Sequence, residues 1–223
     1  MFRNRTEAGR SLLRKVYAMS LRDPLVLGIP RGGVVVAAEV AKGLKCPLDI
    51  IIPRKIGAPH NPELAIGAVA QDGTLILDEA MVNVMGVGRA YIENAVSSEL
   101  REIARRVKVY RGTSEPARIK SRDVIVVDDG IATGLTITAA LRSVRQGNPA
   151  QIILAVPVAP RDTLSKIARE VDRLVCLASP EPFLAVGEWY LQFEQVSDEE
   201  VLDLLRITNC VKGETSAEGK SLG

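Results

Sequence analysis

The stretch Val124-Ile125-Val126-Val127-Asp128-Asp129-Gly130-Ile131-Ala132-Thr133-Gly134-Leu135-Thr136 decides how the chain is read. Four consecutive β-branched apolar residues predict a strand buried on both faces, as inside a parallel sheet. The strand stops at two carboxylates, and a small, hydroxyl-rich turn leads into a helical pattern of Ile137, Leu141 and Val144. Strand, turn and helix in that order set backbone N–H groups and the positive end of a helix dipole at the carboxyl edge of the sheet, where anions bind.

A cradle of N–H groups with the Thr133 and Thr136 hydroxyls suits a phosphate monoester. Carboxylates beside it would repel that anion unless they face neutral hydroxyls or a cation. A sugar phosphate meets both demands, with its hydroxyls on Asp128 and Asp129 and its phosphate in the turn. Three other readings compete. A Walker A loop needs a Gly-Lys-Ser/Thr ending, and this turn has no lysine. Response-regulator domains carry an aspartate pair after their first strand, whereas this pair lies past mid-chain. A plain strand terminator and helix cap explains one aspartate more easily than two.

The stretch resembles the phosphoribosyl pyrophosphate (PRPP) signature of the type I phosphoribosyltransferases, with hydrophobic residues, acidic pair and Thr-Gly-x-Thr loop in register. The resemblance covers about Leu25 to Ala178. It implies that Gly130, Ile131, Ala132, Thr133, Gly134, Leu135 and Thr136 hold PRPP, while Asp128 and Asp129 hold the ribose and Mg2+. Such a protein transfers the 5-phosphoribosyl group to a nitrogenous base and releases pyrophosphate, and a homodimer is the expected assembly. An alternative is a regulatory protein that senses PRPP or a nucleotide without turnover, although no appended helix-turn-helix is evident. Hydrolysis of PRPP, with water as acceptor, is a third reading.

Upstream, Leu25 to Ile29 is a short apolar strand running into Pro30-Arg31-Gly32-Gly33 and a helix from Val34 to Leu44. Two glycines at a helix start offer free N–H groups to an anion, and Arg31 adds a delocalised charge. In the resembled family this loop holds the pyrophosphate, often with a strained peptide bond. Asp49 to Pro53 is the next expected strand. The prolines and glycine that follow, between Arg54 and Glu63, predict a loop. The resemblance makes that loop mobile, with Arg54 and Lys55 reaching the pyrophosphate, so Arg31, Lys55, Asp128 and Asp129 are the expected catalytic set.

Phe2 to Met19 reads as a helix. Leu64 to Ala70 and Thr74 to Asp78 read as strands joined at Gln71-Asp72-Gly73, Met81 to Gly88 as irregular, and Arg89 to Tyr110 as a long helix. Gln151 to Ala159 and Leu174 to Ala178 read as strands around a helix from Asp162 to Val171. Strand alternating with helix predicts an α/β fold, a parallel sheet flanked by helices on both faces. Residues 1–208 form one expected domain, with 75–121 as an insertion that builds a small cap with the C-terminal segment 179–208. Within that segment the resemblance suggests Phe183 stacking on a base, with Val186 beside it. A plain hydrophobic flap is the competing reading. Ser197 begins a final helix through Leu205, and 209–223 is an expected disordered tail.

The chain has 223 residues, 47% of them hydrophobic, enough for one domain with ample core. Net charge +2 and the absence of a long basic block give no nucleic-acid footprint. Three cysteines without C-x-x-C spacing indicate neither a zinc site nor a disulfide framework, and a reducing cytoplasm is the expected location. No signal-type core follows Met1 and no apolar run approaches the length of a membrane span. The single histidine, His60, leaves little room for histidine-based metal binding or a Ser-His-Asp triad.

Overall fold

A computed structural model describes residues 1–112 and 118–215, the last part, 210–215, as backbone only. The chain runs α1 (Arg5–Tyr17), β1 (Leu25–Gly28), α2 (Gly32–Leu44), β2 (Leu48–Ile50), β3 (Arg54–Ala58), β4 (Asn61–Val69) and β5 (Leu75–Leu77). It continues through α3 (Glu79–Val84), α4 (Arg89–Arg111), β6 (Asp123–Val127), α5 (Leu135–Gln146) and β7 (Gln151–Val158). It ends with α6 (Arg161–Ile167), β8 (Arg173–Ala178), a 3-10 turn at Val186–Trp189 and α7 (Asp198–Thr215).

Five strands form a parallel sheet in the order β2-β1-β6-β7-β8. Side chains alternate between its two faces, as the pleat requires. Val26, Ile125, Val127, Ile153 and Ala155 pack with Leu12 of α1, the valines of α2 and Val201 of α7. Leu27, Val124, Val126, Ile152 and Leu154 pack on the other face with Ile137 and Leu141 of α5 and Ile167 of α6. Continuous runs of apolar residues are thus buried from both sides, and the expected fold class holds.

The span from Arg54 to Glu63 differs from the expected loop. It contains β3 and the start of β4, which with β5 form a separate antiparallel sheet in the order β3-β4-β5. Alternation explains it: Ile56 and Ala58 are buried while Arg54, Lys55 and Gly57 are not. The register shifts on both sides of Gly57, where a β-carbon would stand 2.6 Å from the Pro62 carbonyl oxygen. Glycine there lets Pro62 of β4 pass close by, while Pro59 follows the end of β3 and shapes the hairpin tip.

Between Met81 and Gly88, read as irregular, α3 forms because Asp78 Oδ1 accepts from Met81 N at 3.0 Å and caps it. At the far end α7 continues past Leu205 to Thr215. Its Asn209 side chain accepts from Leu48 N at 3.1 Å and donates to Leu48 O at 2.9 Å, pairing the edge strand β2 as another strand would. That contact gives the helix a reason to persist where composition thins. The part of the expected disordered tail from 216 to 223 lies outside the described residues, as does 113–117 of the polar connection after α4.

Candidate functional site

Strands β1 and β6 are hydrogen-bonded neighbours, with Gly28 opposite Val127 and Ile29 N donating to Val127 O at 2.9 Å. From β1 the chain crosses to β2 on one side, and from β6 to β7 on the other. The strand order therefore reverses between them, which opens a crevice at their carboxyl ends. The loops 28–33 and 128–136, singled out separately in sequence, are brought together there. Helices α2 and α5 both start at this edge, and neither N-terminus has a side-chain cap. Their first N–H groups lack intrahelical acceptors, and both dipoles add positive potential.

In the first loop the Pro30–Arg31 peptide is cis, and Val34 N donates to Arg31 O at 3.1 Å. That leaves the Gly32 and Gly33 amides at the helix mouth. In the second loop Gly134 has φ +87°, the left-handed region that suits glycine. Thr163 Oγ1 donates to Ala132 O at 2.8 Å and braces the turn from α6. Ala132 and Thr133 are exposed, and Leu135 and Thr136 half-buried. Ile131 differs from the rest of its stretch: its side chain is buried and its N–H donates to Val158 O at 3.0 Å. The Ile131 amide is thus committed to the sheet and not to a ligand.

The acidic pair sits between the two mouths. A β-carbon on Gly33 would stand 2.8 Å from Asp128 Oδ1, and one on Gly32 would collide with Asp129 Oδ2. Asp128 Oδ1 accepts from Asp129 N at 2.8 Å. Burial, and then the adjoining Asp129 carboxylate, push the Asp128 carboxyl well above the usual range. Asp129 is neutralised by a residue the sequence did not flag: Arg5 Nε donates to Asp129 Oδ2 at 2.7 Å, with side chains 11% and 16% exposed. The Tyr190 hydroxyl donates to Asp129 O at 2.6 Å, and burial pushes that phenol upward. Arg5 and Tyr190 lie far from the signature in sequence, and no local pattern marks them.

The expected cations stand further out. Arg31 is exposed, with Nη1 3.9 Å from Asp198 Oδ1 at the start of α7. Arg54 and Lys55 stand on β3 rather than a loop: Arg54 Nε pairs with Glu99 Oε2 and Lys55 Nζ with Glu63 Oε2, each at 2.7 Å. Val186 packs on the signature turn, since a β-carbon on Gly130 would collide with Val186 Cγ1. Phe183 is half-buried in the same segment. The aromatic packing among the described residues links Phe2, Tyr190 and Phe193 instead, with centroids 5.6 and 5.1 Å apart.

Among the described residues no three His, Cys, Asp or Glu side chains gather as a metal site. Mg2+ commonly takes one or two carboxylates and completes its shell with substrate phosphates and water. Arg5 takes one oxygen of Asp129, and the Asp129 amide bonds one oxygen of Asp128, so each aspartate keeps an oxygen for such an ion, which fits one arriving with a diphosphate. A hollow of about 440 Å3 lined by Leu27, Gln71, Ser143 and Gly147 includes no residue of either loop and lies at the opposite end of α5. No helix among the described residues is long and apolar enough to cross a membrane.

Comparison with known proteins bears on the family and the fold. A Mycobacterium tuberculosis protein named "Putative phosphoribosyl transferase" is 40% identical over 205 residues, 92% of this chain and 46% of that one. The chain thus spans about half the length of the curated relatives it matches. The crystal structure of TT1426 from Thermus thermophilus is 41% identical with a TM-score of 0.77, covering 92% of this chain and 97% of that one. The model of the phosphoribosyl transferase domain matches residues 3–193, spanning both helix mouths and the acidic pair, and the chain belongs to that family.

Proposed function

We propose that the chain binds PRPP with Mg2+ and transfers its 5-phosphoribosyl group to a nitrogenous base, releasing pyrophosphate. The observation that carries this reading is the pair of uncapped helix mouths, α2 and α5, facing one crevice with Asp128 and Asp129 between them. Two anion cradles flanking two hydroxyl acceptors match a pentose phosphorylated at both ends.

The amides at the start of α5, with Thr133 and Thr136, hold the 5-phosphate. Asp128 and Asp129 accept ribose hydroxyls. The Gly32 and Gly33 amides and Arg31 receive the pyrophosphate, so charge leaving C1 moves toward fixed positive potential. Lys55 can join them, because its partner Glu63 is 89% exposed and such a pair is readily exchanged. When bound, Mg2+ would supply further positive charge to the diphosphate, and Asp128 and Asp129 are the residues that would hold it. Departure of pyrophosphate gives an oxocarbenium-like centre that needs stabilisation and exclusion of water more than acid or base chemistry. Val186 and Phe183 lie on the segment that would flank the base.

Incubation with Mg2+, PRPP and a panel of bases tests the reading, with base-dependent pyrophosphate release as the expected result. PRPP binding without such release would make the chain a sensor, and release by water alone a hydrolase. Failure to bind PRPP would end the reading.

A further inference from the structure

We propose that Arg5 is a positioning residue that fixes Asp129 so that its free oxygen meets a ribose hydroxyl. This rests on the phosphoribosyl reading of the site. A carboxylate has two oxygens, and Arg5 Nε occupies Oδ2. Among the described residues Arg5 supplies the side-chain N–H bonded to this carboxylate, and the Asp128 carboxyl lies beside it, so a ligand hydroxyl would meet the pair at the oxygen that Arg5 leaves.

Arg5 is itself pinned. Its guanidinium lies 3.8 Å from the centroid of the Phe193 ring, and Nη1 donates to Glu194 O at 2.8 Å. A stacked, charge-assisted fork of this kind fixes direction as well as charge. The backbone under it is fixed too. Asn4 Oδ1 accepts from Glu7 N at 3.0 Å, and Glu7 Oε2 accepts from Arg3 N at 2.5 Å, which sets the first turn of α1. Phe2 N donates to Trp189 O at 2.8 Å, Leu191 N to Phe2 O at 2.9 Å and Gln192 N to Arg3 O at 2.9 Å. The chain start and the segment 189–194 therefore form one strap, tied to Asp129 through Arg5 at the carboxylate and Tyr190 at the carbonyl.

The test compares a probe with sugar hydroxyls, ribose 5-phosphate, and one without, inorganic phosphate, by calorimetry on the full chain. Wild-type protein is expected to favour ribose 5-phosphate. Arg5→Met keeps a long apolar stem over Phe193 but lets the carboxylate turn. It is expected to weaken ribose 5-phosphate at least tenfold and leave phosphate within twofold. Arg5→Lys keeps the charge without the fork and should fall between.

Equal weakening of both probes would mark Arg5 as a structural support and overturn the proposal, as would unchanged affinity for both. Should Arg5→Met fail to fold, Arg5→Lys is read alone. Failure of both to fold also overturns it. A wild-type protein that does not favour the sugar phosphate strikes instead at the phosphoribosyl reading, so the two failures are distinguishable.

Discussion

Gly33 lies flat against Asp128: a β-carbon there would stand 2.8 Å from Asp128 Oδ1, 2.9 Å from its Cα and 3.0 Å from the Val127 carbonyl oxygen. Two of those atoms are backbone, so the clash has no flexible side chain to absorb it. The mouth of α2 and the acidic pair are thus one packed unit, joined through the ladder between β1 and β6. Gly33→Ala must push them apart. A cost of about 1–3 kcal/mol in urea unfolding is expected, as for overpacking elsewhere, together with a loss of PRPP affinity larger than that of any single surface variant. Unchanged affinity would separate the two loops functionally.

Asp129→Asn is expected to abolish most PRPP binding. The contact with Arg5 means that folding does not escape. Asparagine can still offer an oxygen to Arg5 Nε, but the charge that balances the guanidinium is gone. Hydrogen bonds to charged groups contribute about 1.5–3 kcal/mol, so the variant is expected to lose about 1–3 kcal/mol in denaturant titration. Circular dichroism should remain that of a folded chain.

The Tyr110 hydroxyl donates to Asp198 Oδ1, linking α4 to the start of α7, and the same oxygen approaches Arg31. Burial first, and then Asp198, push the Tyr110 phenol up to about 12 from its usual value near 10. Its folded value is the raised one. The stabilisation is therefore fully present below about pH 10 and lost as pH rises through about 12. Tyr110→Phe should cost about 1–3 kcal/mol at pH 8. The gap between wild type and variant in urea unfolding should narrow steadily between pH 10 and 12. A gap that widens would reverse the sign and refute the contact.

Lys55 pairs with a carboxylate that is almost wholly exposed, so the pair adds little to stability. Lys55→Ala should leave the unfolding free energy within about 0.5 kcal/mol of wild type. Affinity for PRPP is expected to fall about tenfold, the size of one charge-assisted contact. Affinity for ribose 5-phosphate, which has no pyrophosphate, should stay the same. Loss of both would place Lys55 elsewhere than at the leaving group.

What the sequence showed and hid follows from the range of each interaction. The run Val124 to Val127, the aspartates and the glycine turn are contiguous, so strand, rim and cradle were all legible, as were Gly32 and Gly33 at the start of α2. The hairpin of β3 and β4 was hidden because Pro59, Pro62 and Gly57 are turn formers in isolation; Pro59 does lie in the turn, and only the packing of Gly57 on Pro62 lets those two sit in strands. Arg5 was hidden more completely: it meets Asp129 across a separation of 124 residues, and a first-turn arginine carries no signal of its own. Phe193 reads as one aromatic among several until its ring is found under that guanidinium.

The same reasoning applies to Asn209, which a composition reading assigns to a tail. Its amide covers both the N–H and the carbonyl of Leu48 at the edge of the five-stranded sheet. Asn209→Ala removes both partners at once and returns that edge to solvent. Each such hydrogen bond is worth about 0.5–1.5 kcal/mol net, so a loss of about 1–2 kcal/mol is expected. Hydrogen exchange at the Leu48 amide should quicken well beyond that at Val26, whose N–H remains bonded to Pro47 O at 3.0 Å inside the sheet. Asn209→Asp, which keeps the acceptor and loses the donor, should protect Leu48 N–H while still costing stability. If both variants exchange as wild type does, α7 covers the edge by packing alone.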